Sequence, residues 1–191
     1  TFLTQTIQGI TKELQEKHKS SLYQCYGTPT DVFEELTHKF NIQEVYTNHD
    51  YEPYAQARDK QINAFLNKKD IVFKTFKDQV IFEKNEIVKG NGNPYVVYTP
   101  YKNKWKALFD PSKLKVHDTK PYLYKLIQNT NFPQISIEKM GFVVSEIVVP
   151  KFDDSPFLIQ NYEDTRNFPA QKSGTSRLGP HLRFGTVGIR T

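Results

Sequence analysis

Ile42-Gln43-Glu44-Val45-Tyr46-Thr47, the polar loop that follows it from Asn48, a run from Pro53 to Leu66, and Ile71-Val72-Phe73-Lys74-Thr75-Phe76 together decide the fold class. The outer two segments are short and rich in β-branched and aromatic residues, which predicts strands. Between them Ala55, Ile62, Phe65 and Leu66 recur at helical spacing behind a proline suited to a first turn, which predicts a helix over 53–66. A strand, a helix and a second strand in so few residues form a crossover between parallel strands.

The pattern extends in both directions. Thr28-Pro29-Thr30-Asp31 with Glu34 carries helix-start signals, and Val32, Leu36 and Phe40 form the apolar stripe that follows. Leu22-Tyr23-Gln24-Cys25-Tyr26 reads as a strand turning at Gly27. Leu3, Ile7, Ile10 and Leu14 predict an amphipathic helix over 2–18. Val80-Ile81-Phe82 reads as a short continuation of the core, and Thr99-Pro100 starts a helix with Tyr101, Trp105 and Leu108 on one face. The fold class is therefore α/β, a doubly wound, Rossmann-like parallel sheet. In such a sheet each helix follows a strand, and the helix at residue 2 has none before it. The order predicts that the chain begins inside a larger protein, in keeping with a first residue that is not Met.

Composition sets limits. Hydrophobic residues make up 37%, with 14 Phe and 11 Tyr, enough large side chains to build a core rather than a disordered chain. The net charge of +5 permits a polyanionic partner without requiring one. The single cysteine, Cys25, has no internal partner and suits a reducing compartment, so a cytoplasmic location is expected. No apolar run reaches membrane-spanning length. The histidines lack partners at metal-ligand spacing, so no metal is expected. Residues 110–154, interrupted by Pro111, Pro121, Pro133 and Pro150, read as a long connector with a brief turn near Ser136–Met140. Lys89-Gly90-Asn91-Gly92-Asn93-Pro94 is a turn cluster rather than a dinucleotide fingerprint, since Tyr95 stands at the third glycine position.

The last thirty residues carry the functional signal. Gly174 lets the backbone turn, Thr175 and Ser176 are good N-cap residues for a helix begun by Arg177 and Leu178, and such a start suits a phosphate. On spacing alone this is an ordinary capped helix. Yet Tyr162-(x)3-Arg166-(x)2-Pro169, Gly174-Thr175-Ser176-Arg177-Leu178 and Pro180-His181-Leu182-Arg183-Phe184-Gly185 together resemble the opening of the flavin-binding domain in the DNA photolyase/cryptochrome family. The family's usual Leu-Ser-Pro is Leu178-Gly179-Pro180 here, one hydroxyl fewer. Upstream, Tyr51-Glu52 with Arg58-Asp59 is similar to the family's antenna domain, and Tyr98-Thr99-Pro100-Tyr101-Lys102 resembles the motif that closes it.

The resemblance implies an incomplete antenna domain over 1–112, a linker over 113–154, and the first helices of an all-helical FAD domain over 155–191. It implies that Tyr162, Thr175, Ser176, Arg177 and Leu178 contact FAD, that Arg166 faces damaged DNA, and that a reduced folate or deazaflavin antenna chromophore can accompany the flavin. Asn93 falls near where folate-binding members place a polar side chain, although a turn asparagine describes it as well. The implied activity is light-driven, FAD-dependent repair of cyclobutane pyrimidine dimers in DNA, in a monomer. A cryptochrome-type photoreceptor is the alternative, since both branches share every motif present. A small α/β nucleotide-binding module with a basic tail is the reading that ignores the family. The fragment by itself is expected to show neither repair nor stable FAD binding, because most walls of a flavin pocket would lie outside it.

Overall fold

The computed structural model describes residues 1–168 and 170–190. Its regular elements are α1 (Phe2–His18), α2 (Pro29–Lys39), β1 (Glu44–Asn48), α3 (Pro53–Asn67), β2 (Val72–Phe76), α4 (Tyr98–Leu108), α5 (Pro156–Gln160), α6 (Tyr162–Thr165) and α7 (Leu178–Arg183). Two 3-10 turns, Pro111–Lys113 and Lys120–Lys125, interrupt the irregular middle. The chain divides into two compact units: Gly27–Asp118 with the chain's last residues from Ile189, and Thr1–Tyr26 with Thr119–Gly188.

The first of these units is built on the predicted crossover. β1 and β2 pair in parallel, Glu44 opposite Val72 through Asn48 opposite Phe76. α3 connects them and buries Ala55, Ile62 and Leu66. Ile62, Leu66 and Ile71 form the centre of the core, with Phe33, Ile42, Val45, Phe65 and Phe73 packed around it. α3 closes through Asp70 in the left-handed conformation, φ 58°, while the Ile71 amide donates back to the Leu66 carbonyl at 3.1 Å. Both of those residues are buried, so the hydrogen bond and the apolar contact of this C-terminal motif reinforce each other. Val80–Phe82 does not form a strand; Phe82 instead packs edge-on against Trp105 of α4, ring centroids 5.4 Å apart.

In the other unit α1 forms over the predicted residues, but its stripe is half open: Leu3, Ile7 and Ile10 stand 43%, 38% and 45% exposed. The strand expected near 22–26 is absent. That segment meets residues 133–135 through a backbone bond from Gln24 to the Pro133 carbonyl and through glutamine side chains. A ladder bond alone does not fix a strand, and Gln24 and Gln134 satisfy the backbone in its place. The proline-interrupted stretch is irregular as read, with a turn at 137–141 closed by the Gly141 amide on the Glu138 carbonyl, 2.9 Å.

Candidate functional site

The segment from α5 to α7 lies within one unit and contains Tyr162, Arg166, Thr175, Ser176, Arg177 and Leu178, the residues to which the family resemblance gave a role. Ser155 caps α5 by accepting from the Leu158 amide at 3.4 Å. At Asn161 the chain bends into the single turn of α6, which carries Tyr162 half-buried at its start and Arg166, exposed, at its C-terminal cap. Thr165 then ties α6 to the loop ahead. Its hydroxyl donates to the Gly174 carbonyl at 2.9 Å, with the Asn161 carbonyl 3.1 Å away as the alternative acceptor.

This contact explains the glycine. A Cβ on Gly174 would lie 3.1 Å from the Thr165 carbonyl oxygen and 3.0 Å from Gln171 Cβ. The requirement is close approach, not a turn conformation that only glycine adopts. The left-handed residue is Arg177, φ 54° and ψ 22°, and it caps α7. The sequence reading placed Thr175 and Ser176 as N-caps; neither side chain caps the helix, because the chain enters α7 through this left-handed residue instead. The Arg177 guanidinium donates to the Lys172 carbonyl at 2.8 Å and holds the loop closed, while the Ser176 carbonyl accepts from the Asp153 amide at 2.9 Å.

Arg177, Thr175, Ser176 and Leu178 thus stand in one loop, and the Thr165–Gly174 contact joins it to the element bearing Tyr162 and Arg166. Among the described residues, the amides of Thr175, Ser176, Arg177 and Leu178 donate to no protein acceptor, and the Thr175 and Ser176 hydroxyls have no protein partner. Four amides and two half-buried hydroxyls in consecutive residues make a donor set that suits an anion's oxygens. Pro169, part of the motif, lies outside the described residues.

His181 is the residue that sequence reasoning passed over. It is buried, its Nδ1 lies 2.9 Å from the Thr186 hydroxyl, and its Nε2 lies 2.9 Å from the Pro150 carbonyl. A carbonyl only accepts, so Nε2 carries the proton. Phe2 and Phe152 meet the ring edge-on at 5.4 and 5.1 Å. The side chain locks α7 to residues before α5. Its place in Pro180-His181-Leu182 was the available signal, but without a metal-ligand partner in the sequence it carried no role.

A second polar site gathers where β1 and β2 end side by side, the edge at which open α/β sheets bind ligands. His49 Nδ1 meets Glu83 Oε1 at 2.7 Å, Asn48 donates to Asp78 at 3.1 Å, and Lys77 pairs with Glu86 at 2.9 Å. Arg190 donates to the Asp78 backbone and carboxylate and to the Val80 carbonyl. Burial raises the Glu83 carboxyl, but the hydrogen bond from His49 and the neighbouring Tyr51 hydroxyl outweigh it and hold the group below its ordinary value. Burial, with Glu83 adding to it, pushes the Tyr51 phenol up to about 12. The Tyr51 hydroxyl is itself buried without a hydrogen bond of good geometry.

Beside this edge an open cleft of about 450 Å³ lies between the start of α2 and α3, lined by Thr28, Thr30, Tyr54, Arg58 and Gln61. Asn93 sits in a tight turn in which the Lys89 amide donates to the Asn93 carbonyl at 2.9 Å, so the turn description holds for its backbone. Among the described residues, no group of three His, Cys, Asp or Glu is placed to hold a metal ion, and no helix is long and apolar enough to cross a membrane.

Comparison with known proteins agrees with the family resemblance. The chain is 30% identical to a deoxyribodipyrimidine photo-lyase of Synechococcus over 96% of its length and 42% of the relative's. It is 31% identical to the deoxyribodipyrimidine photo-lyase of Halobacterium salinarum over 93% of its length and 40% of the relative's. The chain therefore spans about two fifths of these curated relatives. Its fold is similar to that of a bacterial class III photolyase from Agrobacterium tumefaciens, with a TM-score of 0.72 over 98% of this chain and 41% of that one, at 21% identity. The family model for DNA photolyase matches residues 1–121, and the chain belongs to that family.

Proposed function

We propose that the chain is part of a light-driven, FAD-dependent enzyme that splits cyclobutane pyrimidine dimers in DNA. The observation that carries this reading is the loop segment Thr175–Leu178, whose amides, with the Thr175 and Ser176 hydroxyls, have no protein partner among the described residues, in a member of the DNA photolyase family. These residues fit a flavin dinucleotide. Thr175, Ser176, Arg177 and Leu178 would hold its pyrophosphate through backbone N–H groups, with the two hydroxyls adding donors. Tyr162 would contribute an aromatic wall. Arg166, exposed at the end of α6, would face the phosphates of the damaged strand.

When bound, the flavin supplies the photochemical electron that opens the cyclobutane ring; the protein binds, orients and shields. On this reading residues 1–112 belong to an antenna domain, 113–154 to the connector and 155–191 to the start of the FAD domain. A reduced folate or deazaflavin antenna would sit in the cleft between α2 and α3, where Tyr54 offers a ring and Arg58 a guanidinium.

The test is a longer protein containing this chain, assayed in blue light on an oligonucleotide with one thymine dimer. The reading expects light-dependent loss of the dimer, with flavin content reduced in a Thr175→Val, Ser176→Ala variant. Flavin bound at full occupancy with the dimer untouched would favour a photoreceptor instead, and absence of flavin would remove the reading altogether.

A further inference from the structure

The loop Thr175–Leu178 is fastened from outside by a short piece of the connector. The Asp153 amide donates to the Ser176 carbonyl at 2.9 Å. Ser176 and Arg177 share one rigid trans peptide plane, in which the carbonyl and the amide point in opposite directions. Fixing that carbonyl on Asp153 therefore turns the Arg177 amide to the far side, away from the connector. Arg177 is left-handed, φ 54° and ψ 22°, and Leu178 after it is helical. Such a pair aims successive amides into one concavity, the form in which backbone holds an anion. The aim of the cradle is thus set by where Asp153 sits.

The connector holds Asp153 only loosely by itself. Residues 150–153 form neither helix nor strand, although the Asp153 carboxylate accepts from the Ser155 amide at 2.9 Å. Among the described residues, their backbone is hydrogen-bonded at two points. One is the Asp153 amide, and the other is the Pro150 carbonyl, which accepts from His181 Nε2 at 2.9 Å. The His181 ring also meets Phe152 edge-on at 5.1 Å, so it grips this piece of chain twice. α7 brings the ring there. The helix ends at Gly185, left-handed at φ 67°, which lets the Thr186 amide return to the His181 carbonyl at 3.0 Å. That closure sets the Thr186 hydroxyl 2.9 Å from Nδ1, and with Nδ1 held the ring turns Nε2 to Pro150.

We propose that His181 is a positioning residue for the phosphate cradle. Through Pro150 and Asp153 it fixes the Ser176 carbonyl, and with it the aim of the Arg177 and Leu178 amides. Both of its ring nitrogens are engaged within the protein, so the side chain itself holds no phosphate. This role rests on the reading of Thr175–Leu178 as an anion site. A buried histidine that served packing alone could give way to an apolar side chain of similar bulk. One that positions needs its N–H.

The experiment uses the 191-residue chain, with inorganic pyrophosphate titrated by calorimetry and amide exchange followed residue by residue by NMR. His181→Leu keeps apolar bulk and removes the donor, whereas His181→Gln keeps a donor of similar reach. The leucine variant should bind pyrophosphate about five- to tenfold more weakly, the size of one lost hydrogen bond. Its Asp153 amide should exchange faster by a similar factor, while the amides of α3 exchange as in the parent. The glutamine variant should restore both to within about twofold. In the parent chain, pyrophosphate should shift the His181 ring and Asp153 amide resonances together, a readout that needs no variant. That titration and the glutamine variant decide the question even if His181→Leu fails to fold. Equal binding by the parent and His181→Leu would overturn the proposal and leave the anion site standing. A parent chain that binds no pyrophosphate would remove both. A glutamine variant no better than leucine, or His181 resonances unmoved by pyrophosphate, would also overturn it.

Discussion

At Gly174 the smallest side chain is required by a neighbour's oxygen. Because a Cβ there would sit 3.1 Å from the Thr165 carbonyl, Gly174→Ala must push α6 and the loop apart. Overpacking of this kind costs about 1–3 kcal/mol. The expected result is faster amide exchange over residues 165–178, with little change around α3; unchanged exchange would mean that the loop is not held as described. The sequence exposed the motif, and with it the glycine, but not this reason, because Thr165 and Gly174 meet only once the loop has folded back. The same holds for Tyr51, an ordinary loop tyrosine in sequence. Its phenol, raised from 10 to about 12 by burial first and Glu83 second, keeps its proton when the unfolded chain has lost it. Stability therefore falls as pH rises between those two values. Tyr51→Phe should flatten that fall, measured by urea unfolding through the fluorescence of Trp105, the only tryptophan. Near neutral pH the variant should be as stable as the parent or slightly more so, since it removes a buried hydroxyl that lacks a good hydrogen bond. Glu83 has the opposite sign. Its lowered carboxyl contributes stability above its ordinary value of 4.5 that is lost as pH falls through the folded value, and Glu83→Gln should shrink that acid limb.

Elements whose signals are local were the legible ones. α2 begins where Thr28-Pro29-Thr30-Asp31 says it should, with the Thr28 hydroxyl accepting from the Asp31 amide at 3.4 Å and donating to the Asp31 carboxylate at 2.7 Å. Thr28→Ala should cost about 0.5–1 kcal/mol, toward the low end for a cap because the amide bond is long. The end of α3 offers a test of opposite sign. Asp70 holds φ 58°, and glycine takes that conformation without a Cβ penalty. Asp70→Gly should therefore stabilise the unit by about 0.5 kcal/mol, less than the full relief because glycine also loosens the unfolded chain. Both are read in the same Trp105 unfolding experiment. The strand expected at 22–26 shows where local signals stop. Alternating apolar residues there favour extended backbone, but a strand exists only with a partner, and Gln24 and Gln134 hold this segment through side chains. α7 is the reverse case: Thr175 and Ser176 have cap chemistry, while the left-handed Arg177 takes the capping position.

On the scale of the whole chain, the crossover β1–α3–β2 and the order of the photolyase motifs were readable because each is carried by contiguous residues. The polar edge around His49, Glu83, Asp78 and Arg190 was not, since its members come from three stretches that only folding brings together. The loop Gly174–Leu178 stands between these cases. Its residues were named from sequence, whereas its closure by Arg177 on Lys172 and its lock through His181 were not visible there. That distinction fixes what the isolated chain should do with FAD. A flavin dinucleotide needs an anion cradle for its pyrophosphate and a walled pocket for its ring system. The described residues offer the first, through the unpaired amides of Thr175 to Leu178. For the second they offer Tyr162 and the short helices α5 to α7, too little surface to enclose an isoalloxazine. The purified chain should therefore be colourless, and added FAD should bind weakly, through its phosphates. Titration should show ADP or pyrophosphate competing nearly as well as FAD, because the ring adds little. Arg177→Ala should weaken all three together, since it opens the loop. A yellow protein with stoichiometric flavin, or FAD binding far tighter than ADP, would mean that this chain builds a ring pocket that its short helices do not account for.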